Sequence, residues 1–231
     1  MQIVGVDGCP AGWIAVVENL ETRRIESAIF PKFAELAELD AKIIAIDIPI
    51  GLPERGPRDC DLLARKRLGP KRGSSVFPAP VRACLGATSH PEASDLSHRA
   101  HGKRLSIQAW NIVKKIAEVD LALRASPALQ ERVFEVHPEV TFAFWNGAPI
   151  LAKKKRSDGK AIRRQLVEAH FGANAFVDVR KQSTRDEAEE DDILDAFAAL
   201  FTAERIEAKI ATTLPDPPPR DALRLPMRIV F

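Results

Sequence analysis

The sequence contains no tyrosine, only three cysteines and no large excess of charge of either sign. The cysteines, at positions 9, 60 and 84, form no CxxC pair, which excludes a zinc ribbon and a thioredoxin-type motif. Unpaired thiols favour a reducing compartment. The net charge of +2 creates no overall field for a polyanion, so binding of nucleic acid would depend on local basic patches.

Long hydrophobic runs are also absent. No apolar run approaches the roughly 20 residues that span a membrane, and the first residues predict a strand rather than a basic and then apolar leader. We therefore expect a cytoplasmic protein with no membrane partner. Apolar residues make up 45% of the 231 residues and charged residues 29%, which is typical of a folded chain, and the length suits a single domain over residues 1–231 with an insertion.

The first 50 residues predict most of a sheet. Apolar and β-branched runs indicate a short helix at 33–39 and strands at residues 3–6, 13–19, 23–30 and 42–48. Turn residues separate the first three strands, which we expect to form an antiparallel meander. The fourth strand is almost continuously apolar, as in a parallel strand that is covered on both faces.

The rest of the chain is mainly helical. The patterns predict two further strands, at 132–139 and within 223–231, and helices at 58–69, 106–124, 160–171 and 189–206. This order predicts an α/β fold with a mixed five-stranded sheet flanked by helices. Strand one is central, with the meander on one side and the parallel strands on the other. A helical and loop insertion follows the fourth strand, at about residues 54–130.

Three acidic residues lie at or near the C-terminal ends of the predicted parallel strands. Asp7 ends strand one, Asp47 ends strand four, and Glu135 lies near the end of strand five. Ligands gather beyond the carboxyl ends of parallel strands, so we expect these carboxylates to meet at one edge of the sheet if the strands are neighbours. The alternatives are structural: turns at the strand ends for the two aspartates, and an arginine partner for Glu135.

The helix predicted at 189–206 adds further candidates. On a helical wheel Asp192 and Asp195 share a face with two alanines, whereas the large apolar residues face the other way. Small residues allow the helix to approach the sheet closely, which would bring Asp195 or Asp192 against Asp7. We expect Asp191 to be solvated.

Carboxylates that lie together repel one another and are costly to desolvate, so a cation usually neutralises them. A donor set of carboxylate oxygens suits Mg²⁺ or Mn²⁺ rather than zinc. Two such ions about 4 Å apart can activate a water and stabilise the leaving oxygen of a phosphodiester. We therefore predict that a metal is held by Asp7, Asp47 and Asp195, and that Asp192 and Glu135 assist these three in catalysis.

A basic stretch in the insertion predicts contacts with phosphate. Lys71, Arg72 and Ser75 combine basic side chains with a hydroxyl on a loop. Arg65 is a further candidate for substrate binding, or else pairs with the aspartate four residues earlier in the same helix. The KKKR run at residues 153–156 is predicted to be a surface run that can also follow a nucleic-acid backbone.

Six motifs occur in one order along the chain: VGVDGCPAGW, AIDIPIGLP, CDLLARKRLG, SSVF, EVHPE and DDILDAFAAL. Together they resemble the DUF429 family, described as predicted nucleases with an RNase H-like fold, over nearly the whole chain. The resemblance implies that fold and a metal-dependent nuclease acting on nucleic acid, either DNA or RNA. Resolvases of the wider superfamily similarly carry one acid on strand one, one on strand four and one or two on the last helix. The positions that match are Asp7, Asp47, Asp195 and Asp192.

Two other classes of function stay open. A nucleotide-dependent phosphotransferase of the actin-like or sugar-kinase type also starts with an acid-bearing strand and a glycine-containing turn, although 231 residues are few for two lobes. A non-catalytic nucleic-acid-binding scaffold would keep the fold and some of the acids. The geometry of the carboxylates distinguishes these classes, because a nuclease needs its acids around a shared metal position, whereas a scaffold lets them point apart or pair with arginines.

Overall fold

A mixed five-stranded sheet forms the centre of the fold in the computed structural model, which describes residues Met1–Phe231. The strand order is β3-β2-β1-β4-β5. β1 pairs antiparallel with β2 and parallel with β4, and β4 pairs parallel with β5. The strands are β1 (Gln2–Cys9), β2 (Gly12–Asn19), β3 (Ile25–Phe30), β4 (Ala41–Ile46) and β5 (Val133–Glu135). The prediction of a central first strand, with the meander on one side and the parallel strands on the other, is confirmed.

Nine helices surround this sheet. They are α1 (Phe33–Ala37), α2 (Asp59–Arg72), α3 (His90–His101), α4 (Ile107–Ala125), α5 (Pro127–Arg132), α6 (Pro138–Trp145), α7 (Ser157–Phe171), α8 (Ala175–Arg180) and α9 (Glu190–Glu207). Two short strands, β6 (Thr213–Leu214) and β7 (Ile229–Val230), pair in a second, smaller sheet. None of the helices is both long enough and apolar enough to cross a membrane.

Strands β1 and β4 are buried on both faces, which explains their nearly continuous apolar sequences. Ile3 and Ile43 point to one face, where they join a core cluster with α9. Val4 and Ile44 point to the opposite face, where they join a cluster with α4. Helix α4 therefore covers this face of the sheet. In the sequence it belongs to the long segment between β4 and β5, together with α2, α3 and α5.

A close contact between α9 and β1 positions the acids of this helix. A Cβ built on Gly5 would lie 2.1 Å from the backbone N of Leu200 and 2.2 Å from the backbone O of Ala196. Only a residue without a side chain therefore allows the helix to lie this close to the strand. Because Asp195 directly precedes Ala196, the contact holds Asp195 beside the strand that carries Asp7.

The observed elements differ from the predicted ones mainly after β4. The strand predicted at 132–139 ends at Glu135, and a helix begins at Pro138, since proline favours the first position of a helix. Helix α3 was not predicted, although Ser89 caps it by accepting a hydrogen bond from the N–H of Glu92. Helix α8 was also missed, and the predicted terminal strand is reduced to the two residues of β7.

Candidate functional site

A cleft of about 770 Å³ opens at the edge of the sheet where the pairing between β1 and β4 ends. Its lining includes Asp7 from β1, Asp47 directly after β4 and Asp195 from α9. The structure therefore brings the three predicted metal ligands to one cavity. Asp192 and Glu135 line the same cleft.

The positions of Asp7 and Asp47 follow from the pairing of their strands. Val6 is the last residue of β1 that pairs with β4, and the N–H of Asp47 donates to the carbonyl of Val6 at 3.0 Å. Both aspartates thus lie just beyond the last residues that pair β1 with β4, although Asp7 still pairs with Ile14 of β2. Asp7 is buried, and its Oδ1 accepts a hydrogen bond from the N–H of Gly8 at 2.7 Å, so it also supports the local backbone as the structural alternative proposed.

Asp195 is held by a lysine. It is 2% exposed, and its Oδ2 lies 2.7 Å from Nζ of Lys154. Its other oxygen, Oδ1, is buried and has no hydrogen-bond partner. The same Nζ lies 3.7 Å from Oδ2 of Asp191, which is buried. The expectation that Asp191 is solvated was therefore wrong: the first turn of α9 turns this carboxylate towards the segment that carries Lys154.

Burial and mutual repulsion raise the pKa values of the clustered carboxyl groups. The pKa of Asp7 lies well above its ordinary value because of burial, with added repulsion from Asp47 and Asp195. Burial and repulsion from Asp195 raise the pKa of Asp47 to about 8. Burial also raises the pKa of Asp195, against the attraction of Lys154. Asp195, and then Asp7 and Asp47, raise the pKa of Lys154 in turn. Full ionisation of the three aspartates would therefore leave more negative charge than their single lysine neutralises, and the raised pKa values reflect this.

Asp192 has a structural task in addition to its place in the cleft. Its Oδ2 accepts a hydrogen bond from the N–H of Glu189 at 2.8 Å, and the Glu189 side chain accepts one from the backbone of Asp192. This reciprocal pair is a capping box that satisfies free N–H groups at the start of α9. Burial raises the pKa of Asp192 to about 6.

Glu135 is engaged by an arginine, as the structural alternative proposed. Arg58 donates to both of its oxygens, each at 2.7 Å, and the N–H of Ile50 donates to Oε2 at 2.7 Å. The same arginine binds Asp61 through two hydrogen bonds of 2.6 and 3.2 Å. Both oxygens of Glu135 are thus committed to a buried network that joins β5, α2 and the segment after β4.

The predicted phosphate-binding residues divide into two groups. Arg72 and Ser75 line the cleft, whereas Arg65 and Lys71 do not. Arg65 instead donates to the carbonyl of Val76 at 3.3 Å. The alternative ion pair of Arg65 with the aspartate four residues earlier does not form, because that aspartate is bound to the arginine that precedes α2.

Two residues of the cleft were not singled out from the sequence. Lys154 belongs to a run that reads as ordinary surface charge, and no local signal distinguishes it from Lys153 or Lys155. Glu139 lines the cleft and binds both Arg72, at 2.5 Å, and Arg163, at 2.6 Å. Pro138 is a signal for Glu139, because a helix that starts there places the glutamate in its first turn, next to the end of β5.

The carboxylates do not form a finished coordination set. No group of three or more His, Cys, Asp or Glu side chains is arranged so that it could hold a metal ion. The cation that lies at Asp195 is the ammonium of Lys154. Metal binding by Asp7, Asp47 and Asp195 therefore requires these side chains to move.

The fold and the cleft define an α/β protein with an acidic cavity at the carboxyl end of its parallel strands. The family described as "Protein of unknown function (DUF429)" matches residues 5–220, and the chain belongs to this family. No curated protein and no solved structure matches the chain.

Proposed function

We propose that this protein is a metal-dependent nuclease that hydrolyses phosphodiester bonds in DNA or RNA, with Mg²⁺ or Mn²⁺ as its cofactor. The observation that carries the proposal is the convergence of Asp7, Asp47 and Asp195 in one cleft from three different elements. Burial, and then repulsion among the three carboxylates, raises the pKa values of Asp7 and Asp47, and a divalent cation would offset both effects by stabilising the ionised carboxylates.

The donor chemistry of the site fits such a cation. Mg²⁺ and Mn²⁺ prefer oxygen ligands, and the three aspartates supply only carboxylate oxygens. Oδ1 of Asp195 is buried without a partner, which is a costly state for a carboxylate oxygen and one that a metal ion would remove. Asp7, Asp47 and Asp195 would hold the ion. Asp192 lies in the same cleft as an assisting carboxylate.

The other residues of the cleft suit a phosphate substrate. When bound, the metal would polarise a phosphoryl oxygen and lower the pKa of the attacking water. Arg72 is oriented by Glu139 and presents a guanidinium in the same cavity as the acids. Ser75 adds a hydroxyl beside it. Glu135, whose oxygens are both bound by Arg58, supports the walls of the cleft rather than the reaction.

The arrangement of the acids also argues against a scaffold. A scaffold would let its acids pair with basic residues, as Glu135 and Glu139 do. Asp7 and Asp47 form no ion pair of their own, although they lie in the same cavity as several basic side chains. Their positions on β1, after β4 and beside a last long helix agree with the RNase H-like arrangement that the family resemblance implies.

The experiment measures cleavage of labelled single-stranded and duplex DNA and RNA with Mg²⁺ or Mn²⁺, with and without a chelator. Asp47→Asn should reduce the rate by more than about 100-fold, since loss of even an outer-shell partner of a metal reduces activity by roughly 10–100-fold. Glu190→Gln is the matched control, because it makes the same change from a carboxylate to its amide at a side chain that is 45% exposed and outside the cleft. Cleavage that survives both the chelator and Asp47→Asn, or no cleavage of any substrate, would contradict the proposal.

A further inference from the structure

Lys154 lies in the segment between α6 and α7, where three consecutive lysines line the cleft: Lys153, Lys154 and Lys155. Only Lys154 forms ion pairs with the acids, at 2.7 Å to Oδ2 of Asp195 and 3.7 Å to Oδ2 of Asp191. The other two form none in the structure. Of the three lysines, therefore, only Lys154 contacts the acid cluster. Its two neighbours carry the same charge but do not contact the acids.

The ion pair of Lys154 is more exposed and has fewer supporting hydrogen bonds than the ion pairs in the core. Its side chain is 39% exposed, whereas that of Asp195 is 3% exposed. A structural ion pair in the core, such as Arg58 with Glu135, has 1% and 4% exposure and several further hydrogen bonds. Lys154 has one close partner, and the opposite oxygen of that partner is left without any. The ammonium thus contacts only one oxygen of the buried carboxylate, and it is carried by a side chain that is partly in solvent.

We infer that Lys154 is an internal counter-ion that a divalent metal ion must displace from Asp195. The inference rests on the proposed metal site. A metal ion bound through the free Oδ1 of Asp195 would lie on the same carboxylate as the ammonium at Oδ2, and two cations at such a short distance repel each other. Metal loading and the withdrawal of Lys154 are then a single exchange, and the displaced lysine stays on a segment that lines the cleft.

This exchange accounts for two features of the site at once. It explains why three carboxylates converge without forming a coordination set, since Asp195 is turned to the lysine. It also explains why Oδ1 of Asp195 is left without a partner while the metal is absent. The consequence is that Lys154 weakens metal binding, whereas a residue that merely supports the site would strengthen it.

The test is a calorimetric titration of Mn²⁺ into wild type, Lys154→Met, Lys154→Arg and Lys155→Met. Removing the competing ammonium should tighten binding in Lys154→Met on the order of tenfold, because a hydrogen bond to a charged group no longer has to be broken. Lys154→Arg keeps a cation and should bind no more tightly than wild type. Lys155→Met is the matched control: it removes the same charge from the same cleft but breaks no ion pair, and it should resemble wild type.

The outcomes separate this inference from the proposed function. Equal affinities for Lys154→Met and Lys155→Met, or weaker binding in Lys154→Met, overturn the counter-ion role and leave the metal site standing. Absence of binding in wild type and in Lys154→Met alike overturns both. Binding that appears only when Lys154 is replaced supports the exchange. Should Lys154→Met prove unstable without metal, the rise of its thermal midpoint with Mn²⁺ gives the same comparison, and that rise should exceed the rise for Lys155→Met.

Discussion

The close packing of α9 on β1 makes Gly5→Ala the most informative single substitution. The new Cβ would lie 2.1 Å from the backbone N of Leu200 and 2.2 Å from the backbone O of Ala196, whereas ordinary Cβ contacts are at least 3.0 Å. The helix must therefore move away from the strand by about 0.9 Å, since backbone atoms have no other rotamer to adopt.

The expected loss of stability is about 3 kcal/mol, at the upper end of the usual cost of overpacking a core. Alanine also lowers the conformational entropy of the unfolded chain, but this stabilises the fold by only about 0.4–1 kcal/mol and does not cancel the loss. For a chain of this size, each kcal/mol lowers the melting temperature by about 2–4 °C, so the midpoint should fall by roughly 6–12 °C. The shift also carries Asp195 away from Asp7, so the affinity for Mn²⁺ should fall.

Differential scanning calorimetry and urea unfolding measure this effect, with Gly8→Ala as the matched control. Gly8 lies on the same strand, but a Cβ there would meet only atoms of the flexible Lys115 side chain, of which Cδ is the nearest at 3.0 Å. The control should lose less than about 1 kcal/mol, because a side chain can move where a backbone cannot. If Gly5→Ala is no less stable than Gly8→Ala, the account of the helix–strand contact is wrong.

Three further predictions concern the groups around the cleft. Arg58→Met leaves Glu135 buried without its partner and should lower the free energy of unfolding by about 3–5 kcal/mol; a loss below 1 kcal/mol in urea would contradict the network. Glu135→Gln should also destabilise the fold but leave the affinity for Mn²⁺ unchanged, and a calorimetric loss of binding would make Glu135 a ligand instead. The pKa of Asp47 is raised from 3.8 to about 8, so between these two pH values the native state keeps a proton that the unfolded state releases. The stability of the metal-free protein should therefore fall as the pH rises from about 4 to about 8. Asp47→Asn should flatten this dependence, and an unchanged slope would refute the shift.

The sheet could be predicted because its strands have local signatures. The apolar runs of β1 and β4 are nearly continuous, and clear turn residues separate the three strands of the meander. From these, the central position of β1 and the convergence of Asp7 and Asp47 followed by topology alone. The contact of α9 with β1, which brings Asp195 to the other two aspartates, could also be predicted in part, because the small residues beside Asp195 indicated a closely packed helix. The role of Gly5 itself needed the backbone positions of both elements.

The remaining features depend on contacts between distant parts of the chain. An arginine partner for Glu135 was only the alternative to a catalytic role, since Arg58 lies 77 residues earlier and only the fold shows that these two meet. Lys154 has the same local sequence context as its neighbouring lysines, so its place at Asp195 is set by the path of the segment between α6 and α7. Asp191 looked solvated because a helical wheel ignores what packs against the first turn of a helix.

The central claim is that Asp7, Asp47 and Asp195 form a divalent metal site, and calorimetric titration of Mn²⁺ into wild type and Asp7→Asn tests it most directly. Asparagine keeps the shape of the side chain and removes its charge. The account predicts binding at one or two sites in wild type and loss of that binding in Asp7→Asn. Equal binding by the two proteins would place the metal elsewhere, and absence of binding in wild type and Lys154→Met alike would remove the metal site from the account.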